Sequence, residues 1–280
     1  MESIQNVSDT SFWIAAFRAE ESKKNNPAFS DPYASKLSGE KGEMILHNTP
    51  NSKTMAFAIT IRTTAIDRLV EQALKDGCDM VINLGAGLDT RPYRMKLPVT
   101  LRWIEIDFAS IIDYKTEILK NDTPACNLIR ISADLSDEKE RKELFAQLGS
   151  ETKKAVVITE GVINYLTNEA AASLSKDIYE IPSFRYWIQN YRKGRLRNSG
   201  AKKLADKVKN TSPFLFTAKD AFRFFAQQGW KVKQNIGIID EGQRIGRKLP
   251  APFPWNILIK ILPPVRKIAN RTFGCVMFQK

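Results

Sequence analysis

Apolar residues recur at two different periods along this chain, and the change from one to the other organises it. The stretch FWIAAFRAEES, residues 12–22, has helical spacing; Asp9 or Ser8 stands where an N-cap belongs, and NNP at 25–27 stops the run. A loop is expected around DPYA, residues 31–34. From Thr54 to Lys75, Ile59, Ile61, Ile66, Leu69, Val70 and Leu74 keep helical spacing, and Gly77 ends the segment as a helix C-terminus should. The pattern then shortens. DMVINLG, LRWIEID, NLIRIS, AVVITE and RYWIQN read as five strands, with helices after Phe108, after Asp137 and after Asn168. Thr217–Gln228 reads as a further helix, and WKVKQNIGII and FGCVMFQ as two closing strands suited to an antiparallel pair at one sheet edge. Strands alternating with helix-length segments predict an α/β fold: a doubly wound, mostly parallel seven-stranded sheet. No internal repeat interrupts it. The expected organisation is one domain over 1–280, with an N-terminal cap segment at 1–53 and cap or lid insertions at about 191–216 and 240–270.

Charge changes this picture more than overall composition does. The net charge is +12, but residues 1–180 hold 22 Lys and Arg against 27 Asp and Glu, whereas residues 181–280 hold 21 against 4. A basic last third attached to a near-neutral body points to an anionic substrate, an anionic membrane surface or a nucleic acid, or else to a solvated lysine-rich face. Within that third, PAPFPWNILIKILPPVRK at 250–267 carries an apolar run too short to span a bilayer and bounded by prolines. It reads either as a lid over an apolar acceptor pocket, the favoured reading, or as a wedge resting on an anionic membrane. Cys78, Cys126 and Cys275 lack metal-ligand spacing, and His47 is the single histidine, so no disulfide framework, metal site or histidine-based triad is expected. The polar stretch after Met1 has no secretory pattern, which predicts a cytoplasmic protein.

The chemistry sits where strands end. The first strand runs directly into Gly85-Ala86-Gly87, and 22 positions after Gly85 the second strand closes on Asp107. Glycines at that turn let a nucleotide-like ligand approach the backbone, and a carboxylate at the end of the next strand can accept a ribose diol. Alone, this pair is also compatible with a plain strand-to-helix turn, and GAGLDT lacks the third glycine of a dinucleotide site. Asp134-Leu135 after the third strand and Glu160 after the fourth add polar groups to the same crevice. Asp89 and Thr90 suit helix capping, Arg91 and Arg94 suit structural ion pairs, and Tyr165 either lines the crevice or belongs to the core.

NLGAGLDTRPYR, followed by EIDF, ADL and TEGVINYL, resembles the leucine carboxyl methyltransferase family, in particular its bacterial branch of S-adenosylmethionine-dependent methyltransferases. The likeness extends to RAEES, DPYA, Arg62-Thr63, QQGWKV and FGCVMF, and so covers most of the chain. The resemblance implies a class I, Rossmann-like methyltransferase fold with S-adenosyl-L-methionine as cofactor. It places Gly85, Ala86 and Gly87 against the methionine and ribose, Asp107 on the ribose hydroxyls, and Asp134 with the Leu135 backbone at the adenine. Arg62 and Arg18 would pair with the cofactor carboxylate, and Glu160 would lie near its amino end; Arg62 also reads as a buried ion-pair partner. The implied reaction is O-methyl transfer to a carboxylate or hydroxyl of a small, lipophilic or anionic metabolite. A hydroxyl acceptor would need help from Glu160 or Tyr165, whereas a carboxylate arrives ionised. Three other readings stay open: an RNA-modifying methyltransferase, with YRKGRLRNSGAKK as its basic segment; an NAD(P)-dependent oxidoreductase; and a catalytically silent cofactor-binding protein.

Overall fold

The computed structural model describes residues 9–48, 52–192, 214–250 and 253–280. Seven strands form one sheet in the order β3-β2-β1-β4-β5-β7-β6. They are β1 Met80–Leu84, β2 Arg102–Asp107, β3 Asn127–Ser132, β4 Ala155–Thr159, β5 Phe184–Arg192, β6 Lys231–Gly237 and β7 Phe273–Gln279. The first five run parallel, and β7 is antiparallel to both β5 and β6. The closing pair is therefore antiparallel as expected, with β6 at the edge and short helices between its two strands.

Period-two patterning explains why β1 and β4 occupy the centre. Met80, Ile82 and Leu84 point to one face with Ala155 and Val157, while Val81, Val156 and Ile158 point to the other. A bulge opposite Ala155 and Val156 inserts Arg185, so Phe184 and Trp187 both reach the first face. The helices Glu138–Ser150 and Asn168–Glu180 cover that face through Phe145, Leu148, Leu174 and Ile178. The opposite face is covered by α3 (Ser52–Lys75), whose Ala65, Ile66, Leu69, Val70 and Ala73 follow helical spacing.

The N-terminal part corrects one expectation. DPYA is not a loop but the start of α2 (Pro32–His47), after α1 (Asp9–Ser22). Asp31 is its N-cap, its Oδ1 accepting from the Ala34 N–H at 3.1 Å, and Pro32 takes the first helical position, where its missing N–H costs nothing. Gly39, at φ 52°, kinks the helix and blurs the periodicity that would have revealed it.

Candidate active site

The strand order reverses between β1 and β4, and the crevice at their carboxyl ends receives the predicted residues. After β1 the chain turns through Gly85 at φ 63° and Gly87 at φ 50°. A Cβ at Gly85 would stand 2.5 Å from Cγ2 of Val162, so the position requires glycine for conformation and for space. The Gly85 and Ala86 N–H groups donate to the Ile106 carbonyl at 2.8 and 3.1 Å, tying the turn to β2. Asp107 closes the same joint: its Oδ2 accepts from the Gly87 N–H at 2.6 Å and its Oδ1 from the Phe108 N–H at 2.8 Å. Burial pushes the Asp107 pKa up, with the two N–H groups opposing it, and each carboxylate oxygen retains acceptor capacity towards the crevice.

Below this turn lies a network of buried charges. Glu160, one residue past β4, meets Arg91 Nη1 at 2.8 Å through Oε2 and Arg62 Nε at 2.7 Å through Oε1. The Arg62 contact is ionic by distance only, because the buried Nε–H is not aimed at that oxygen. Burial would raise the Glu160 pKa; Arg91 and Arg62 outweigh it and hold the carboxyl below its ordinary range. Arg91 also pairs with Asp67 at 2.6 Å and Asp89 at 2.9 Å, and Arg94 with Asp67 at 2.8 Å. Arg18 Nε donates to Asp31 Oδ2 at 2.8 Å, and Thr90 Oγ1 donates to the same oxygen at 2.7 Å. Arg91 and Arg94 are thus ion-pair donors, as their positions suggested. Thr90 precedes the short helix Arg91–Arg94 but makes no side-chain cap, while Asp89 Oδ1 accepts from the Arg91 N–H at 3.0 Å.

A cavity of about 1010 Å³ opens above the network. Its wall contains Arg18, Arg62, Gly85, Ala86 and Gly87 from the N-terminal helices and the first turn. Asp107, Asp134, Leu135, Glu160 and Tyr165 complete the set of expected residues, all brought together in one space. Asp134 is exposed; the Ser136 hydroxyl, and after it the Ser136 N–H that donates to Oδ1 at 2.9 Å, lower its pKa. Tyr165 stacks on Phe214 with ring centroids 5.3 Å apart, and burial pushes its phenol pKa up.

Several residues of the site were not anticipated. Asp31 and Asp67 hold the arginines without lining the cavity, and the Asp-Pro pair at 31–32 was the signal for the first. Phe108 lines the cavity while 50% exposed. Arg192, at the end of β5, also lines it; among the described residues its side chain has neither an ion pair nor a hydrogen bond, and burial lowers its pKa. Its position after RYWIQN follows the same strand-end rule that identified Asp107 and Glu160. The described part of the expected lid at 240–270 lies beside the cavity. No described residue of 240–270 lines it, because the short helices of that stretch pack at the side, on Phe57, Ile61, Ile238 and Ile239. Most of the other insertion, and most of the basic segment YRKGRLRNSGAKK, lies outside the described residues.

Comparison with known proteins agrees with this fold. A family model described as leucine carboxyl methyltransferase matches residues 11–179. A Streptomyces avermitilis protein, provisionally named an S-adenosyl-L-methionine-dependent methyltransferase, is 30% identical over 176 residues, 59% of this chain and 62% of its own. A Mycobacteroides abscessus protein of the same provisional name is 28% identical over 253 residues, 82% of each chain. The first three such relatives are matched over 61–64% of their own length. Among solved structures, a DUF574 family protein from Streptomyces avermitilis shares the fold with a TM-score of 0.62 at 12% identity, over 97% of both chains.

Proposed function

The chain belongs to the leucine carboxyl methyltransferase family, and from that premise we propose that it transfers a methyl group from S-adenosyl-L-methionine to the carboxylate of a small acceptor. The observation that carries the proposal is the convergence on a single cavity of the donor-type residues and of Arg192, whose side chain has no ion-pair partner among the described residues. Ligand clefts hold roughly 300–1,000 Å³. At about 1010 Å³ this one has room for a donor and an acceptor together.

The residues present fit the donor. Asp107 has acceptor capacity for a diol, and Phe108 leaves an aromatic surface open beside it. Arg62 supplies a guanidinium for an amino-acid carboxylate and Glu160 a fixed negative charge for its ammonium. When bound, this cofactor supplies a methyl group already activated on a sulfonium, so the protein's task is alignment and exclusion of water.

The cavity's titratable groups favour an acceptor that arrives ionised. Glu160 is held deprotonated by two arginines and is a weak proton acceptor, and Asp89 and Asp134 are likewise held below the ordinary carboxylate range. The Tyr165 phenol stays protonated at neutral pH and can donate a hydrogen bond but not abstract a proton. A carboxylate acceptor needs no base, and Arg192 offers it a charge-assisted partner in a partly buried setting. The Glu160 and Tyr165 roles are therefore positional: Glu160 orients Arg62, and Tyr165 shapes the acceptor side with Phe214.

The test is incubation with methyl-labelled cofactor and a metabolite extract, followed by mild alkali. Methyl esters release labelled methanol; methyl ethers keep their label. Alkali-stable product would replace the carboxylate with a hydroxyl acceptor, and absence of any labelled product would favour a silent cofactor-binding protein.

A further inference from the structure

We propose that the surface built by residues 253–271 docks the protein on an anionic lipid membrane, independently of which acceptor it methylates. Five large apolar side chains of this short stretch face solvent: Phe253 is 78% exposed, Ile257 46%, Ile261 60%, Leu262 42% and Ile268 66%. They lie on the helices Trp255–Ile261 and Pro263–Asn270 and beside them, and the two helices pack against each other. Ile257 and Ile261 are one helical turn apart and share a face. In the second helix, Pro263, Pro264, Lys267 and Ile268 are exposed, whereas Val265 and Ala269 turn inward, Ala269 to the satellite core of Phe57 and Ile61. The inward positions account for the fold; the outward isoleucines have no role in it.

Charge commits this face to one occupant. From Gly242 to the last residue there are eight Lys and Arg and not one Asp or Glu. Arg244, Arg247 and Arg266 are engaged by Glu241, Glu21 and Asp240. Lys248, Lys267 and Arg271 are exposed and, among the described residues, have no ion-pair partner. Lys267 adjoins Ile268, the one isoleucine of the second helix. Apolar side chains ringed by unpaired cations match the boundary between acyl chains and anionic headgroups, and they do not match a neutral or basic partner surface. No described helix is long and apolar enough to cross a membrane, so the contact is peripheral. The seat is close to the cavity: Phe273 lines the cavity and packs in the same satellite core as Ile259 and Ala269.

The experiment is flotation of the full chain with vesicles of phosphatidylcholine alone or with one third phosphatidylglycerol. Binding is expected only to the second, and it should fall at least about fivefold as salt approaches 1 M, where the Debye length is about 3 Å. Ile261→Glu with Ile268→Glu should cut the partition coefficient by about tenfold or more, and Lys267→Glu with Arg271→Glu should remove the preference for anionic lipid. Because both pairs are exposed, unchanged melting temperatures will show that the variants fold. Ile261→Cys labelled with an environment-sensitive dye should shift to the blue on anionic vesicles; the three native cysteines are buried. No flotation at low salt, equal flotation with neutral vesicles, or flotation untouched by both variant pairs would overturn the proposal. So would a dimer in light scattering that Ile261→Glu with Ile268→Glu dissociates, since the face would then belong to a second copy.

Discussion

The cavity wall formed by the strand ends and the surface formed by residues 242–280 treat charge in opposite ways. Around Glu160, every arginine that supports the turn after β1 is matched: Arg91 meets Asp67, Asp89 and Glu160, Arg94 meets Asp67, and Arg18 meets Asp31. On the C-terminal surface, cations outnumber their partners and apolar side chains point outward. The first arrangement fixes a geometry, because a buried charge without a partner costs several kcal/mol and the network has few ways to satisfy all its members. The second has no internal geometry to fix and is completed only by something outside the chain. Arg192 belongs to the first region by position and to the second by chemistry: it stands in the cavity wall but has no ion-pair partner among the described residues.

The contrast is broken most directly by removing an anion from the matched region. Asp67→Ala leaves Arg91 without one of its three partners and Arg94 without its close one, and should cost about 3–5 kcal/mol in denaturant unfolding. A loss below about 1 kcal/mol would mean that the network does not organise the site. Arg192→Gln removes a cation that has no ion-pair partner among the described residues, so stability should hardly move. Turnover of a carboxylate acceptor should instead fall roughly tenfold to a hundredfold in kcat/KM, with cofactor affinity unchanged. Equal loss of cofactor affinity would place Arg192 on the donor instead.

The strands were readable because their periods are local: β1 and β4 are apolar runs buried on both faces, and Gly85, Asp107, Asp134 and Glu160 stand at the ends of β1, β2, β3 and β4. Asp67 was not readable in the same way. Its partners Arg91 and Arg94 are more than twenty positions away, and nothing in α3 marks one acid among its charged residues as the buried one. The stretch 250–267 shows a different limit. Its apolar content was plain, but composition does not say which way a short amphipathic helix faces, and none of its described residues lines the cavity. The helix at Pro32–His47 had its start signal in Asp31-Pro32, while the kink at Gly39 hid its period.

Smaller effects sharpen the same account. Burial raises the Asp107 pKa above the 3.8 of a free aspartate, so ionisation is what the fold opposes and what a hydroxyl-donating ligand favours. Cofactor affinity should therefore weaken as pH falls through that raised value and stay level above it, measured by calorimetry. Turnover of a carboxylate acceptor should be flat across neutral pH, since an acceptor that arrives ionised needs no base; a rising limb between pH ~6 and ~8 would instead indicate a titrating general base. Chelator should leave turnover unchanged, and activity lost with EDTA and regained with magnesium would contradict the metal-free alignment proposed for the site.

The central claim is that the strand-end cavity holds S-adenosyl-L-methionine, and thermal unfolding with and without it is the most direct test. At about 100 times its dissociation constant the cofactor should stabilise the fold by about 2.7 kcal/mol. In a chain of this length that is a rise of roughly 5–10 °C. Asp107→Ala should lose most of the rise while the unliganded protein still unfolds cooperatively. A wild-type melting temperature that ignores the cofactor but rises with NAD, or an Asp107→Ala protein that keeps the full rise, would contradict the account.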